Sequence, residues 1–202
     1  MKRFLNDVSY DLLVPPLGLD FFHMTPKQSK ENFDWFMSKI PERMRYFRNR
    51  CAEDLCTSAE NLDYSSNSLK SVWKWFIGTA KIEKTPKRDL EQMEEAAKIF
   101  GSSYVNKEQF TVATQFILRD IGMYLGQAYV LNYKPLYWTF YTKPKNDINV
   151  NQPVIAGFTV NGNNTYFNPI HMAKIQAANI FDHTAQDSDL YKIFVKWATY
   201  VA

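Results

Sequence analysis

Arg119-Asp120-Ile121-Gly122-Met123-Tyr124-Leu125-Gly126-Gln127 places two glycines four residues apart inside a segment whose other residues follow a helical pattern. A glycine in a helix interior costs about 1 kcal/mol relative to alanine, so the pair implies something that needs the missing side chains. Four residues apart, both glycines lie on one face, where a second helix or a strand can approach closely. The segment belongs to the longest helical pattern in the chain. Asn106 with Gln109 three residues on reads as its cap, and Phe110, Ala113, Phe116, Ile117, Ile121, Tyr124, Leu125 and Ala128 as its apolar positions. Apolar residues fall on more than one side, which marks a central helix packed on several neighbours. In a bilayer the glycine pair would suit dimerising spans, but Arg119, Asp120 and Gln127 argue against that setting.

Downstream the periodicity changes. Leu136-Tyr137-Trp138-Thr139-Phe140-Tyr141 and Val154-Ile155-Ala156-Gly157-Phe158-Thr159-Val160 are rich in aromatic and β-branched residues, and Asn161-Gly162-Asn163-Asn164 is a turn before Thr165-Tyr166-Phe167. These stretches predict a three-stranded antiparallel meander over about residues 136–167. Asn168-Pro169 then opens a helix through Ile170, Ala173, Ile175 and Ala177, and a last helix runs from about Ser188 through Trp197.

Upstream, Val14-Pro15-Pro16 and Gly18 read as an extended lead-in over about residues 1–24 that carries an edge strand, since proline cannot donate to a central ladder. Thr25-Pro26 caps a helix with Phe33, Phe36, Met37 and Ile40 at helical spacing; Pro41 is expected to kink or restart it before Met44, Phe47 and Cys51. Asp63-Tyr64-Ser65-Ser66-Asn67-Ser68 is a cluster of turn and cap residues before a second amphipathic helix through Leu69, Val72, Trp73, Phe76 and Ile77 that stops at Gly78. Residues 81–88 read as an exposed loop, and Leu90, Met93 and Ala97 as a weak helix ending near Gly101. The expected class is α+β: one domain, residues 1–202, with a helical body and a small β-meander packed on a central helix.

Composition narrows the function classes. The formal net charge of +3 and the alternation of basic with acidic residues give no strong field for nucleic acid. Arg43, Arg45, Arg48 and Arg50 cluster in one helix and read as a solvated face, with a phosphate-binding strip as the minor alternative, so nucleic acid is not the expected partner. Cys51 and Cys56 have neither thioredoxin nor zinc spacing and read as free thiols. Met1-Lys2-Arg3 is followed at once by Phe4-Leu5-Asn6-Asp7, so no signal peptide is read, no run approaches a membrane span, and the expected location is cytoplasmic.

Catalytic equipment is sparse. His23, His171 and His183 have no zinc spacing, no Gly-x-Ser-x-Gly elbow occurs, and the 7 glycines form no phosphate-cradling loop, so neither metal nor cofactor is expected. Asp120, beside an apolar face, is expected to pair with the 63–68 turn or the sheet. Trp73 and Trp75, two apart on a helix, cannot share a face, so one of them should be partly exposed. Tyr137 and Tyr141 share one side of a strand while Trp138 takes the other.

Several of these segments taken together, Phe33-Asp34-Trp35-Phe36, Ile40-Pro41-Glu42-Arg43, Leu62-Asp63-Tyr64-Ser65, Ser68-Leu69, Trp73, Asp120 to Gly126, Trp138, Pro153 and Phe167-Asn168-Pro169, resemble an uncharacterised family of small bacterial proteins. The resemblance extends loosely to cytosolic immunity or accessory proteins of toxin systems and implies a binding role, with no catalytic residue attached.

The leading expectation is therefore a non-enzymatic module that binds a protein partner, of immunity type, with Trp75, Tyr137 and Tyr141 as contact residues and Arg45 and Arg48 at the rim. The alternative is a small-molecule-binding protein or enzyme with a pocket between the Asp120–Gly126 helix and the sheet, lined by Asp120, Tyr124 and Trp138.

Overall fold

The structure, a computed structural model, describes residues 10–100 and 105–201. Along these the order is α1 (Pro26–Asp54), α2 (Ser66–Thr79), β1 (Ile82–Lys84), α3 (Lys87–Phe100), β2 (Glu108–Phe110), α4 (Val112–Asn132), β3 (Tyr137–Thr139), β4 (Val154–Val160), β5 (Asn163–Phe167), α5 (Pro169–Ala177) and α6 (Asp189–Ala198). The fold is α+β, with an antiparallel β3-β4-β5 meander and a separate β1-β2 pair.

The caps follow the local chemistry. Thr25 and Gln28 form a reciprocal capping box at α1 with Pro26 at the first helical position, Ser65 accepts from the Ser68 N–H at α2, and Asn168 accepts from the His171 N–H at α5. Pro41 neither ends nor restarts α1, which runs through it. The carbonyl it leaves unpaired belongs to Met37, and both residues lie on the exposed side of the helix, where water can serve that group.

Two further expectations are corrected by one pairing. The segment read as an exposed loop contains β1, whose Ile82 and Lys84 lie opposite Phe110 and Glu108 of β2. That ladder takes residues 108–110 out of the helix, so α4 is capped by Thr111, whose side chain accepts from the Thr114 N–H, rather than by Asn106. The helix stop expected at Gly101 and the first nine residues of the lead-in lie outside the described residues. The described part of the lead-in forms no strand. Its carbonyls are taken by side chains instead: Asp11 by Arg43, Leu13 by Arg119 at 3.1 Å, and Phe21 by Asn151 at 2.7 Å.

The meander forms where the strand pattern places it. Trp138 lies opposite Ile155, which lies opposite Phe167, and these three face the helices. Asn161 and Gly162 both have positive φ, 50° and 78°, the geometry of a tight hairpin turn. The chain end joins the sheet through the Thr159 N–H on the Tyr200 carbonyl at 2.7 Å. Among the described residues, no helix is long and apolar enough to cross a membrane.

Helix α4 is the axis. Residues 117–126 are buried without interruption, and the helix packs on α1, α2, α5, α6 and the sheet. The two glycines admit two different neighbours. A Cβ on Gly122 would lie 2.4 Å from the Ile170 Cα of α5, and one on Gly126 would lie 2.1 Å from the Trp138 ring. Neither a helix backbone nor an indole wedged under a sheet can step aside cheaply. Gly122→Ala and Gly126→Ala are each expected to destabilise by about 1–3 kcal/mol despite the gain in helix propensity, whereas Gly78→Ala should stabilise by up to about 1 kcal/mol. The space at Gly78 is open. Urea midpoints at unchanged slope measure all three.

Candidate functional site

Asp120 is buried, and its partner is not the 63–68 turn or the sheet but α1. Arg43 Nε donates to both carboxylate oxygens at 3.0 and 2.9 Å, Arg43 Nη2 lies 2.8 Å from Oδ2, and the Tyr10 hydroxyl donates to the same oxygen. Arg43 also binds the Asp11 carboxylate at 2.9 Å and sits against the Tyr10 and Tyr46 rings. Burial pushes the Asp120 carboxyl up, against the pull of the Arg43 bonds and charge. Burial alone would lower Arg43, but the Asp120 bonds and charge outweigh it and hold the guanidinium above its ordinary value. Arginine keeps its proton, and the Asp120 carboxyl oxygens accept every one of these bonds. The Tyr10 phenol, raised well above its usual value by burial and then by the carboxylate, stays protonated as a donor. This cluster joins α1, α4 and the lead-in. With Arg43 only 3% exposed, it is no part of a solvated arginine face.

Tyr124 is what reaches the 63–68 turn, accepting the Tyr64 N–H at 3.0 Å and donating its hydroxyl to Ser68 Oγ at 2.6 Å, since Ser68 gives its own proton to the Ser65 carbonyl. Trp138 donates from Nε1 to the Gln127 side chain at 2.9 Å while its ring fills the gap above Gly126. Asp120, Tyr124 and Trp138 are thus buried along α4, each on its own partners, and none of them lines the cleft that the fold does form.

The proposed contact residues separate as well. Trp75 is 4% exposed, its ring against Phe47 and its Nε1 donating to Asp54 at 2.9 Å. Trp73 is buried too, so neither tryptophan is left partly exposed: α2 has α1 on one side and α4 and α6 on others, and both faces are covered. Arg48 is spent on the Ala59 carbonyl, at 3.1 and 2.6 Å, and Arg50 on Glu53 and Asp54. Arg45 is exposed, which leaves no continuous basic strip on α1. Tyr137 is exposed on the outer sheet face, and Tyr141 is half-buried, stacked on Tyr166 and bonded to Asp147. Among the described residues no group of three or more His, Cys, Asp or Glu is placed to hold a metal ion.

What the fold does assemble is a cleft of about 290 Å³ one helical turn away from the expected pocket. Helix α4 contributes Gln115, Phe116 and Arg119, and α5 contributes Ile170, His171 and Lys174. The lead-in supplies residues 19–22, and Gln152 and Pro153 close the side before β4. Arg119 is 7% exposed, donates to the Leu13 carbonyl and lies 5.6 Å from the Trp35 ring. Burial pushes its guanidinium down to about 10, opposed by Asp120 and reinforced by Arg43. Lys174 is lowered by desolvation and by the Arg119 charge, and His171 by desolvation and by Lys174. Sequence reading missed this site because residues 133–168 separate its two helices. The available signal was Arg119 itself, a charge three residues before Gly122 on a helix buried all round.

Two outcomes follow. Asp120→Asn leaves an unpaired buried cation and should cost about 3–5 kcal/mol, while Arg43→Met with Asp120→Leu should lose far less; a double-mutant cycle in urea measures the difference. His171, held below its usual 6.5, refuses a proton that the unfolded chain accepts, so stability should fall as pH drops below about 6.5. His171→Asn should flatten that part of the profile, measured by denaturation at pH 7.5 and 5.5.

Compared with protein-family models, with curated proteins and with solved structures, the chain matches none.

Proposed function

We propose that this chain is a small-molecule-binding protein whose ligand occupies the cleft between α4, α5 and the lead-in. The observation that carries the reading is the make-up of that cleft. Its walls are apolar, from Leu19, Phe21, Phe22, Phe116, Pro153 and Ile170, and a few polar side chains, Gln115, Gln152, Arg119, His171 and Lys174, line it beside them. Apolar walls that bury a ligand's body, with a small number of placed polar groups that orient it, are what ligand sites share. The volume, about 290 Å³, lies just below the roughly 300–1,000 Å³ range of such sites, which suits a metabolite better than a dinucleotide.

An amide-resolved NMR screen of small fragments tests this. Hits are expected to perturb Phe22, Phe116, Ile170 and His171, and to be lost in Gln115→Trp, which places a ring at the mouth from an exposed position. Fragments that bind only elsewhere, or equally well to Gln115→Trp, would sink the reading.

A second reading, a module that binds a protein partner, is supported by the outer sheet face, where Tyr137 is 57% and Tyr166 45% exposed. Exposed tyrosines of this kind are enriched at interfaces. Under it, Tyr137→Ser should leave folding within about 0.5 kcal/mol and end partner capture; capture that survives sets this reading aside. Of the other contact residues first expected, Trp75 and Arg48 are engaged within the fold, and the immunity-type role has no residue here that argues for it.

A further inference from the structure

The charge in the cleft is one-sided where it is most enclosed. Arg119 makes a single protein hydrogen bond among the described residues, to a backbone carbonyl, although a guanidinium carries five N–H donors. The carboxylate next to it in sequence, Asp120, is committed to Arg43 and Tyr10. His171 and Lys174 come from successive turns of α5, and among the described residues no carboxylate pairs with either. The acidic group that does line the cleft, Asp20, sits at the solvent rim with its side chain 69% exposed and bound to His23 at 2.8 Å. At the inner end Asp120 offsets part of the Arg119 charge, and no described carboxylate pairs with Lys174 or His171. Desolvation disfavours the charged forms of all three, Arg119 repels Lys174 and Lys174 repels His171, and an anion among them relieves these costs. Phe22, Phe116 and Pro153 add apolar surface to the same cleft.

We propose that the group held at this end of the cleft is an oxyanion, a carboxylate or a phosphate ester, on a small molecule whose apolar or aromatic body lies along Phe22, Phe116 and Pro153. This deepens the small-molecule reading and rests on it. Arg119 supplies the planar donor fork that matches either oxyanion, and Lys174 supplies a second, more mobile charge from the mouth. His171 completes the set when it takes up a proton on binding. By linkage, an anion that stabilises the imidazolium must raise the ring's affinity for its proton.

The test uses the full chain and five probes in amide-resolved NMR titrations: 3-phenylpropanoate, phenyl phosphate, 3-phenylpropanamide, phenethylamine and inorganic phosphate. One or both of the aryl oxyanions are expected to perturb Phe116, Ile170, His171 and Lys174 at least tenfold more tightly than the amide, and to raise the His171 pKa. Carboxylate-only or phosphate-only binding identifies which oxyanion the site takes. Lys174→Gln, at an exposed position, should weaken the preferred probe about tenfold and leave the amide unaffected. Amide or amine binding in the cleft as tight as the aryl oxyanions would overturn the oxyanion assignment while leaving the small-molecule reading in place. Inorganic phosphate binding as tightly as phenyl phosphate would overturn the role given to the apolar wall. No perturbation of the cleft by any probe at millimolar concentration, with fragments of other chemistry binding there, overturns the proposal alone; an empty cleft in both experiments overturns both.

Discussion

At Gly122 the backbone of α5 lies against the backbone of α4 with no side chain between them, and the rest of the molecule is arranged around that approach. With α5 drawn in this far, Ile170, His171 and Lys174 stand beside Gln115, Phe116 and Arg119, residues that precede Gly122 by three to seven positions on the same helix. One turn further on, Gly126 takes the Trp138 ring and thereby sets the height of the sheet. The absence of two side chains thus places both the cleft and the meander. Close packing of this kind has little tolerance, because a helix backbone and an indole can be displaced only by moving the elements that carry them.

The ionic cluster around Asp120 works on the other side of the same helix. A buried pair of this sort contributes little net stability relative to apolar residues of similar volume, yet it tolerates no missing member. Its consequence here is positional. Arg43 ties α1 to α4, and through Asp11 and Tyr10 it brings the lead-in to the top of the body. Arg119 and Asn151 then take the next carbonyls along the lead-in, at Leu13 and Phe21. A segment without a ladder is held down by three side chains from three different parts of the chain, and residues 19–22 become one wall of the cleft. Neighbouring residues Arg119 and Asp120 face separate tasks: the carboxylate is consumed by the fold, and the guanidinium is left with donors to spare.

Much of the architecture was legible from local pattern. The caps at Thr25, within the Asp63–Ser68 cluster and at Asn168, the Asn161-Gly162 turn and the alternation in β3 to β5 are short-range chemistry, decided within a few residues. The errors arose where a distant partner overrode the local signal. Asn106 and Gln109 have the spacing of a capping box, but pairing with Ile82–Lys84 extends that stretch and moves the helix start to Thr111. Trp73 and Trp75 point different ways, as helical geometry requires, and both are covered because α2 is enclosed on more than one side.

The sequence by itself determined that the glycine-marked helix is a central one with a bare face, that a meander follows it, and that Asp120 must have a partner, because these follow from periodicity, propensity and the cost of burying an unpaired charge. Only the tertiary structure decided which partners those are. Asp120 pairs across 77 residues with Arg43, and Arg119 lines one cleft with Lys174 from another helix, because juxtapositions of that range depend on how packed elements meet, and no local spacing records it.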